Sequence, residues 1–104
     1  MSQIYRVIVM PQAFVDLDKI TDYIEQTSPQ NAAKVLDLLS TATGTLDRFP
    51  QRYKMHEHRL VPEKTVHSMP VPPFIVYYRI DEINHVVRIL TVRHGARRQP
   101  RRFK

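Results

Sequence analysis

From Ile4 to Met10 the chain is rich in β-branched residues, and Pro11 ends the run, which predicts a first strand. Beyond Pro11 the apolar period lengthens. Ala13, Leu17, Ile20 and Ile24 recur at helical steps while Asp16, Asp18, Asp22 and Glu25 fall mostly between them, so an amphipathic helix is expected. Pro11 suits its first turn, where the missing N–H leaves no bond unmade, and acids early in the helix favour the positive end of its dipole. Ser28-Pro29 is a second start signal, a hydroxyl N-cap before a residue already held at helical φ. The stripe Ala32, Leu36, Leu39, Thr43 and Leu46 carries a second helix to its stop at Phe49-Pro50. Gly44 costs that helix about 1 kcal/mol relative to alanine. Only Gln26 to Ser28 separate the two helices, so they fold back as an antiparallel hairpin.

Helical spacing disappears after Pro50. Residues 51–65 scatter Tyr53, Met55, Leu60 and Val61 among charged side chains, which predicts a short strand or a loop. Pro70, Pro72 and Pro73 supply no ladder donors and press Met69 and Val71 into extended geometry, placing this stretch at an edge or in a loop. Phe74–Ile80 and Val86–Arg93 are the clearest strands, and Asp81 to Asn84 joins them as an antiparallel hairpin. Both are apolar on nearly every side, as suits central strands covered by helices on one face. The order predicts an α+β fold: an N-terminal strand, the antiparallel two-helix hairpin, then a three- to four-stranded antiparallel sheet. A single domain is expected over residues 1–94. Residues 95–104 hold Arg97, Arg98, Arg101, Arg102 and Lys104 and no acid, and read as a basic flexible tail.

Charge sharpens this picture. The formal net charge is +6, but residues 11–50 carry six acids against three bases, while residues 51–104 carry twelve Lys or Arg against four acids. The balances are −3 and +8, and Arg6 restores the total. A basic half of this kind implies an acidic partner, either nucleic acid or an acidic protein segment. With no cysteine there is neither a disulfide framework nor a thiolate zinc site. No apolar run approaches the ~20 residues that cross a bilayer, and Met1 to Met10 lacks the order of a secretion signal. A cytoplasmic protein with no membrane partner is expected.

Few residues carry recognisable chemistry. His56-Glu57-His58 places its histidines on one face of a strand and the glutamate on the other, too few ligands for a metal, so no metal or other cofactor is expected. Arg79 and Arg88 interrupt apolar strands and must reach solvent or a partner. His94 has the reference pKa of a proton carrier, yet no second acid–base residue lies near it in sequence, which favours a structural or partner-contacting role.

Phe74-Ile75-Val76-Tyr77-Tyr78-Arg79-Ile80, then Arg88-Ile89-Leu90-Thr91-Val92-Arg93-His94-Gly95-Ala96-Arg97-Arg98, following a long helical hairpin that ends Leu46-Asp47-Arg48-Phe49-Pro50, resembles the RelE/ParE toxin superfamily over residues 4–98. The resemblance implies the toxin half of a type II toxin–antitoxin, or plasmid stabilisation, module. It further implies an antitoxin whose disordered acidic segment folds onto the toxin, and side chains left over from the helical stripes, Phe14, Tyr23, Val35 and Leu38, would form its groove. Two activities occur in that superfamily: RelE-like members cut mRNA on the ribosome, and ParE-like members bind DNA gyrase. The RelE-like pattern has lysines in the strand before the aromatic, an arginine just after it and a tyrosine in the tail. Here Val66 and Ser68 take the approximate lysine places, Ile75 follows Phe74, and no tyrosine follows Tyr78. RNA cleavage needs a base, an acid and cations on the developing charge, and much of that set is missing. The expectation is therefore a ParE-like protein that binds gyrase through Arg79, Arg88, Arg93, His94, Arg97 and Arg98, with no catalytic residue and no small-molecule substrate. Two alternatives stand beside it: a ribosome-dependent endoribonuclease using Arg59, Arg79, Arg93 and His94, and a non-toxic binding module of the same fold.

Overall fold

Pro11 and Pro29 each open a helix at its first position, and the apolar steps behind them set which side of each helix is buried. In the computed structural model, which describes residues 4–57, 60–61 and 64–95, these helices are α1 (Pro11–Glu25) and α2 (Pro29–Gly44). Five strands surround them in sequence: β1 (Arg6–Val9), β2 (Lys54–His56), β3 (Val66–Val71), β4 (Phe74–Asp81) and β5 (Val86–His94). They form one sheet in the order β1-β5-β4-β3-β2. The architecture is α+β as expected, but the sheet is larger and mixed. β1 joins it as an edge strand parallel to β5, and the remaining pairs are antiparallel.

Local sequence chemistry places most of α1 and α2. Ala13 is fully buried, with Leu17, Ile20 and Ile24 packed against the core behind it. The first turn of α1 holds no acid, contrary to the dipole reading, because Asp16 lies beyond it and turns its carboxylate toward β5. Ser28 accepts from the Asn31 N–H at 3.2 Å and so caps α2 as expected. Ser28→Ala should destabilise the protein by about 1 kcal/mol, and Ser28→Asp should restore most of that loss, both read from urea midpoints.

The buried stripe of α2 differs from the expected one. Leu36 is 45% exposed, while Val35 and Ala42 join buried Ala32 and Leu39 against the core. Both sets run at helical steps of three and four, so periodicity alone did not separate them. The α-helix also stops at Gly44 rather than Phe49, and a tighter 3-10 turn at Thr45–Asp47 keeps Leu46 fully buried. The Arg52 guanidinium then donates to the carbonyls of Thr45, Arg48 and Phe49, holding together the turns that follow the helix.

β2 is the short strand anticipated within residues 51–65. Pro70 lies in β3 beyond Lys54↔Ser68, the last pair β2 supplies, so its missing N–H falls where no outer strand needs it. Pro72 and Pro73, joined by a cis peptide bond, make the two-residue turn into β4. A bulge opposite the Tyr77–Tyr78 step lets Leu90 slip out of register, so Tyr77 pairs with Thr91 and Tyr78 with Ile89. Tyr78 fills the centre of the core and donates from its hydroxyl to the Pro50 carbonyl at 2.6 Å, fixing the segment after α2 to the sheet. At the opposite end Tyr5 donates to Glu82 at 2.6 Å and accepts from Gln51 at 2.9 Å, tying β1 to the turn between β4 and β5.

Candidate functional site: a cationic sheet face and a cleft under the helices

Side chains alternate along a strand, so the buried row Phe74, Val76 and Tyr78 of β4 sends Ile75, Tyr77, Arg79 and Asp81 to the face turned away from the helices. The bulge at Leu90 keeps the parity of β5 matched to that of β4, and Arg88, Thr91 and Arg93 share this face. Pairing adds Arg6 and Ile8 from β1, Ser68 from β3, and Lys54 and His56 from β2. His56 Nε2 lies 2.9 Å from the Ser68 hydroxyl.

Arg79 and Arg88 stand directly opposite each other in the ladder, which sequence alone did not reveal. Like charges in that position repel. Arg88 is compensated by Asp81 at 3.2 Å, whose carboxyl is held down at about 2 by the Asn84 side-chain amide, the Asn84 N–H and Arg88 itself. Among the described residues Arg79 has no such counterpart. Its Nε and Nη2 are shut off from water and have no hydrogen-bond acceptor, and burial pushes its pKa down. Arg93 is exposed, donates to the Thr91 hydroxyl at 3.3 Å and draws down the Tyr77 pKa that burial raises.

His94 lies on the other side of the sheet. It pairs with Phe74, and the two rings meet edge to face at 5.6 Å between centroids. There it helps line a cleft of about 650 Å³ between α1, the start of α2, the turn before β4 and the end of β5. Ile20, Tyr23, Ile24, Val35 and Phe74 give this cleft an apolar surface, and Lys19, Arg93 and His94 make its rim basic. The cleft runs beside the part of β5 that β1 does not reach. Asp16 occupies that edge, accepting from the Val92 N–H at 3.1 Å, from the Thr91 hydroxyl and from Gln12 at 2.9 Å.

The residues expected to form one antitoxin groove are thus divided. Tyr23, 73% exposed, and Val35 line the larger cleft. Phe14 stands with Leu36 at a smaller apolar hollow of about 200 Å³ between α1 and α2. Leu38 is exposed and lines neither. Among the expected target-binding residues, Arg79, Arg88 and Arg93 share a face and His94 does not. Arg59, Arg97 and Arg98 lie outside the described residues. So does most of the expected tail, although Gly95 is held, donating to the Pro73 carbonyl at 2.6 Å. Sequence reasoning missed Asp16 and Lys19. The available signal was their place on the flanks of the α1 stripe, where a polar side chain reaches the neighbouring sheet edge.

His67 is buried against Tyr78, their rings stacked at 5.3 Å, and burial, reinforced by nearby His56, lowers its pKa from the ordinary 6.5. The native state therefore resists the proton more than the unfolded chain. Its contribution is complete above about pH 6.5 and is lost as pH falls through the lowered native value. Melting temperatures recorded from pH 7.5 to 5 should fall less steeply for His67→Phe, which keeps the stack without the titration, and an unchanged slope would contradict this assignment.

Among the described residues no group of three or more His, Cys, Asp or Glu side chains is placed to hold a metal, and no helix is long and apolar enough to cross a membrane. Comparison with known proteins extends the geometry. The ParE toxin family of type II toxin–antitoxin systems (parDE) matches residues 7–99. Toxin RelE2 of Caulobacter vibrioides is 38% identical over 87 residues, covering 83% of this chain and 90% of that protein. Among solved structures, the RelBE2 toxin–antitoxin complex of Mycobacterium tuberculosis contains a chain 28% identical, with a TM-score of 0.61, covering 91% of this chain and 95% of that one. The chromosomal ParDE system of P. aeruginosa agrees in fold, with a TM-score of 0.68 at 20% identity over 88% of this chain and 96% of that one. From strand order to sequence, the chain belongs to the ParE toxin family of type II toxin–antitoxin systems.

Proposed function

We propose that this toxin acts in the cytoplasm by binding DNA gyrase through the sheet face turned away from its helices, and that an antitoxin neutralises it. The observation that carries the choice of target is the separation of the would-be nuclease groups. His94, the candidate proton carrier, lies under the helices beside Phe74, whereas Arg79 points from the other side of the sheet, and of the described candidates only Arg93 reaches the cleft that His94 lines. Cleavage of RNA requires acid–base and charge-stabilising groups converging on one phosphate. Val66, Ser68 and Ile75 supply neither the lysines nor the arginine of the RelE-like pattern. What remains is a cationic surface suited to attracting and orienting an acidic macromolecule.

The antitoxin has a natural place in the cleft beside β5. Its apolar surface and its rim of Lys19, Arg93 and His94 fit an acidic, amphipathic segment, and the relatives of known structure are toxin–antitoxin complexes. The test is a supercoiling assay with purified gyrase, run beside an mRNA cleavage assay on programmed ribosomes. Inhibited supercoiling with intact mRNA is expected. Ribosome-dependent cleavage without an effect on gyrase would replace this reading by the nuclease one.

A further inference from the structure

We infer that Arg79 is an anchor for a carboxylate carried by the protein target, at the middle of the sheet face turned away from the helices. This deepens the docking proposed above, on which it rests, by naming the chemistry at its centre. Nε and Nη2 of an arginine lie on the same side of the guanidinium and form its side-on fork, which matches the two oxygens of a carboxylate. In Arg79 these two donors are the ones lacking an acceptor. The neighbouring Asp81 does not fill the fork, because Asn84 and Arg88 hold its oxygens. Arg88 adds a second positive charge directly across the ladder. An arriving anion therefore satisfies the fork and screens the repulsion between the two arginines in a single step.

The surroundings favour a protein carboxylate over a nucleic acid phosphate. Ile8, Ile75 and Val66 lie on the same face and Tyr77 is buried, so among its described strand residues the exposed aromatic ring is the small imidazole of His56 at the β2 edge, and no exposed Phe, Tyr or Trp offers a stacking platform. Cations set among aliphatic side chains suit an acidic protein surface. Arg79 as a whole is only half-buried, and Arg88 keeps 40% of its side chain exposed. Entry to the fork needs changes of rotamer, which commonly accompany interface formation.

Arg79 should therefore cost the free protein stability while contributing to binding, an unusual combination in one residue. Two full-length variants test it, Arg79→Met, which fills the space without charge, and Arg79→Lys, which keeps the charge without the fork. Both should bind gyrase at least about 10-fold more weakly, the scale set by removing one charge-assisted pair from an interface. Arg79→Met should also melt about 4 °C or more above the wild type, because an uncompensated buried cation is gone. In the wild type, the Arg79 Nε–H resonance should move on titration with hexaglutamate at concentrations that leave that of Arg6 unmoved.

Unchanged gyrase affinity in both variants would overturn the inference and leave the gyrase reading standing. A melting temperature below the wild type for Arg79→Met would assign Arg79 a structural role and overturn it as well. If a DNA duplex moves the Arg79 resonance and hexaglutamate does not, the anion is a phosphate and the inference fails. If the wild type does not bind gyrase while hexaglutamate still moves the resonance, the anchor stands and the target is another acidic protein.

Discussion

Tyr78→Ala is expected to lower stability by about 3–5 kcal/mol, the usual cost of emptying a large aromatic site. Tyr78 is completely buried, stacks on His67 and ties Pro50 to the sheet through its hydroxyl, so its loss affects the core and the segment leaving α2 together. Tyr78→Phe isolates the polar part. It leaves the Pro50 carbonyl without that donor and should cost about 1–2 kcal/mol. Small domains hold only about 5–15 kcal/mol in all, so the alanine variant should unfold at much lower urea, while the phenylalanine variant remains folded at room temperature. Equal midpoints for the two variants would show that packing of the Tyr78 ring is not what stabilises the centre of the sheet.

Reversing charge on the docking face should have the largest effect on function. Arg6 on β1 and Arg93 on β5 are both exposed, and neither forms a salt bridge among the described residues. Arg6→Glu/Arg93→Glu should therefore fold almost normally. Each reversal is expected to weaken gyrase binding about tenfold, or about 1.4 kcal/mol, giving about 100-fold for the pair at low salt. The deficit should shrink as salt screens the surface. Arg93 also lines the cleft, so the double variant should lose some antitoxin affinity, whereas Arg6→Glu alone should lose none. A double variant that binds gyrase as tightly as the wild type would mean that the target docks elsewhere.

The parts of the fold that were legible in the sequence are those fixed by local chemistry. Ser28-Pro29 marked the start of α2, the run Phe74–Ile80 marked β4, and the three residues between the helices required a hairpin. Long-range pairing was not legible. Nothing in Arg6–Val9 indicates a parallel partner more than 75 residues away, so the first strand was expected but its place beside β5 in the sheet was not. Adjacent apolar pairs blurred the helix faces: Val35 and Leu36 both fit a stripe, and only the sheet beneath α2 decides that Val35 packs inward.

The candidate site divides in the same way. Arg79 and Arg88 were conspicuous because charges interrupt apolar strands, but their direct opposition depends on the ladder register. His94 looked contiguous with Arg93, yet adjacent strand residues face opposite ways, and this separates it from the arginines. The cleft was invisible because its lining comes from four separate segments, and Asp16 gains its role only where β1 ends and leaves an edge of β5 for it to cover.

We propose that this toxin arrests growth through gyrase and leaves mRNA whole. Inducing it in a bacterial host and scoring growth, mRNA integrity and gyrase-linked DNA breaks in one culture tests that claim most directly. Growth arrest with DNA breaks and intact mRNA is the predicted result; arrest with cleaved mRNA and no breaks, or undisturbed growth in the presence of soluble toxin, would contradict it.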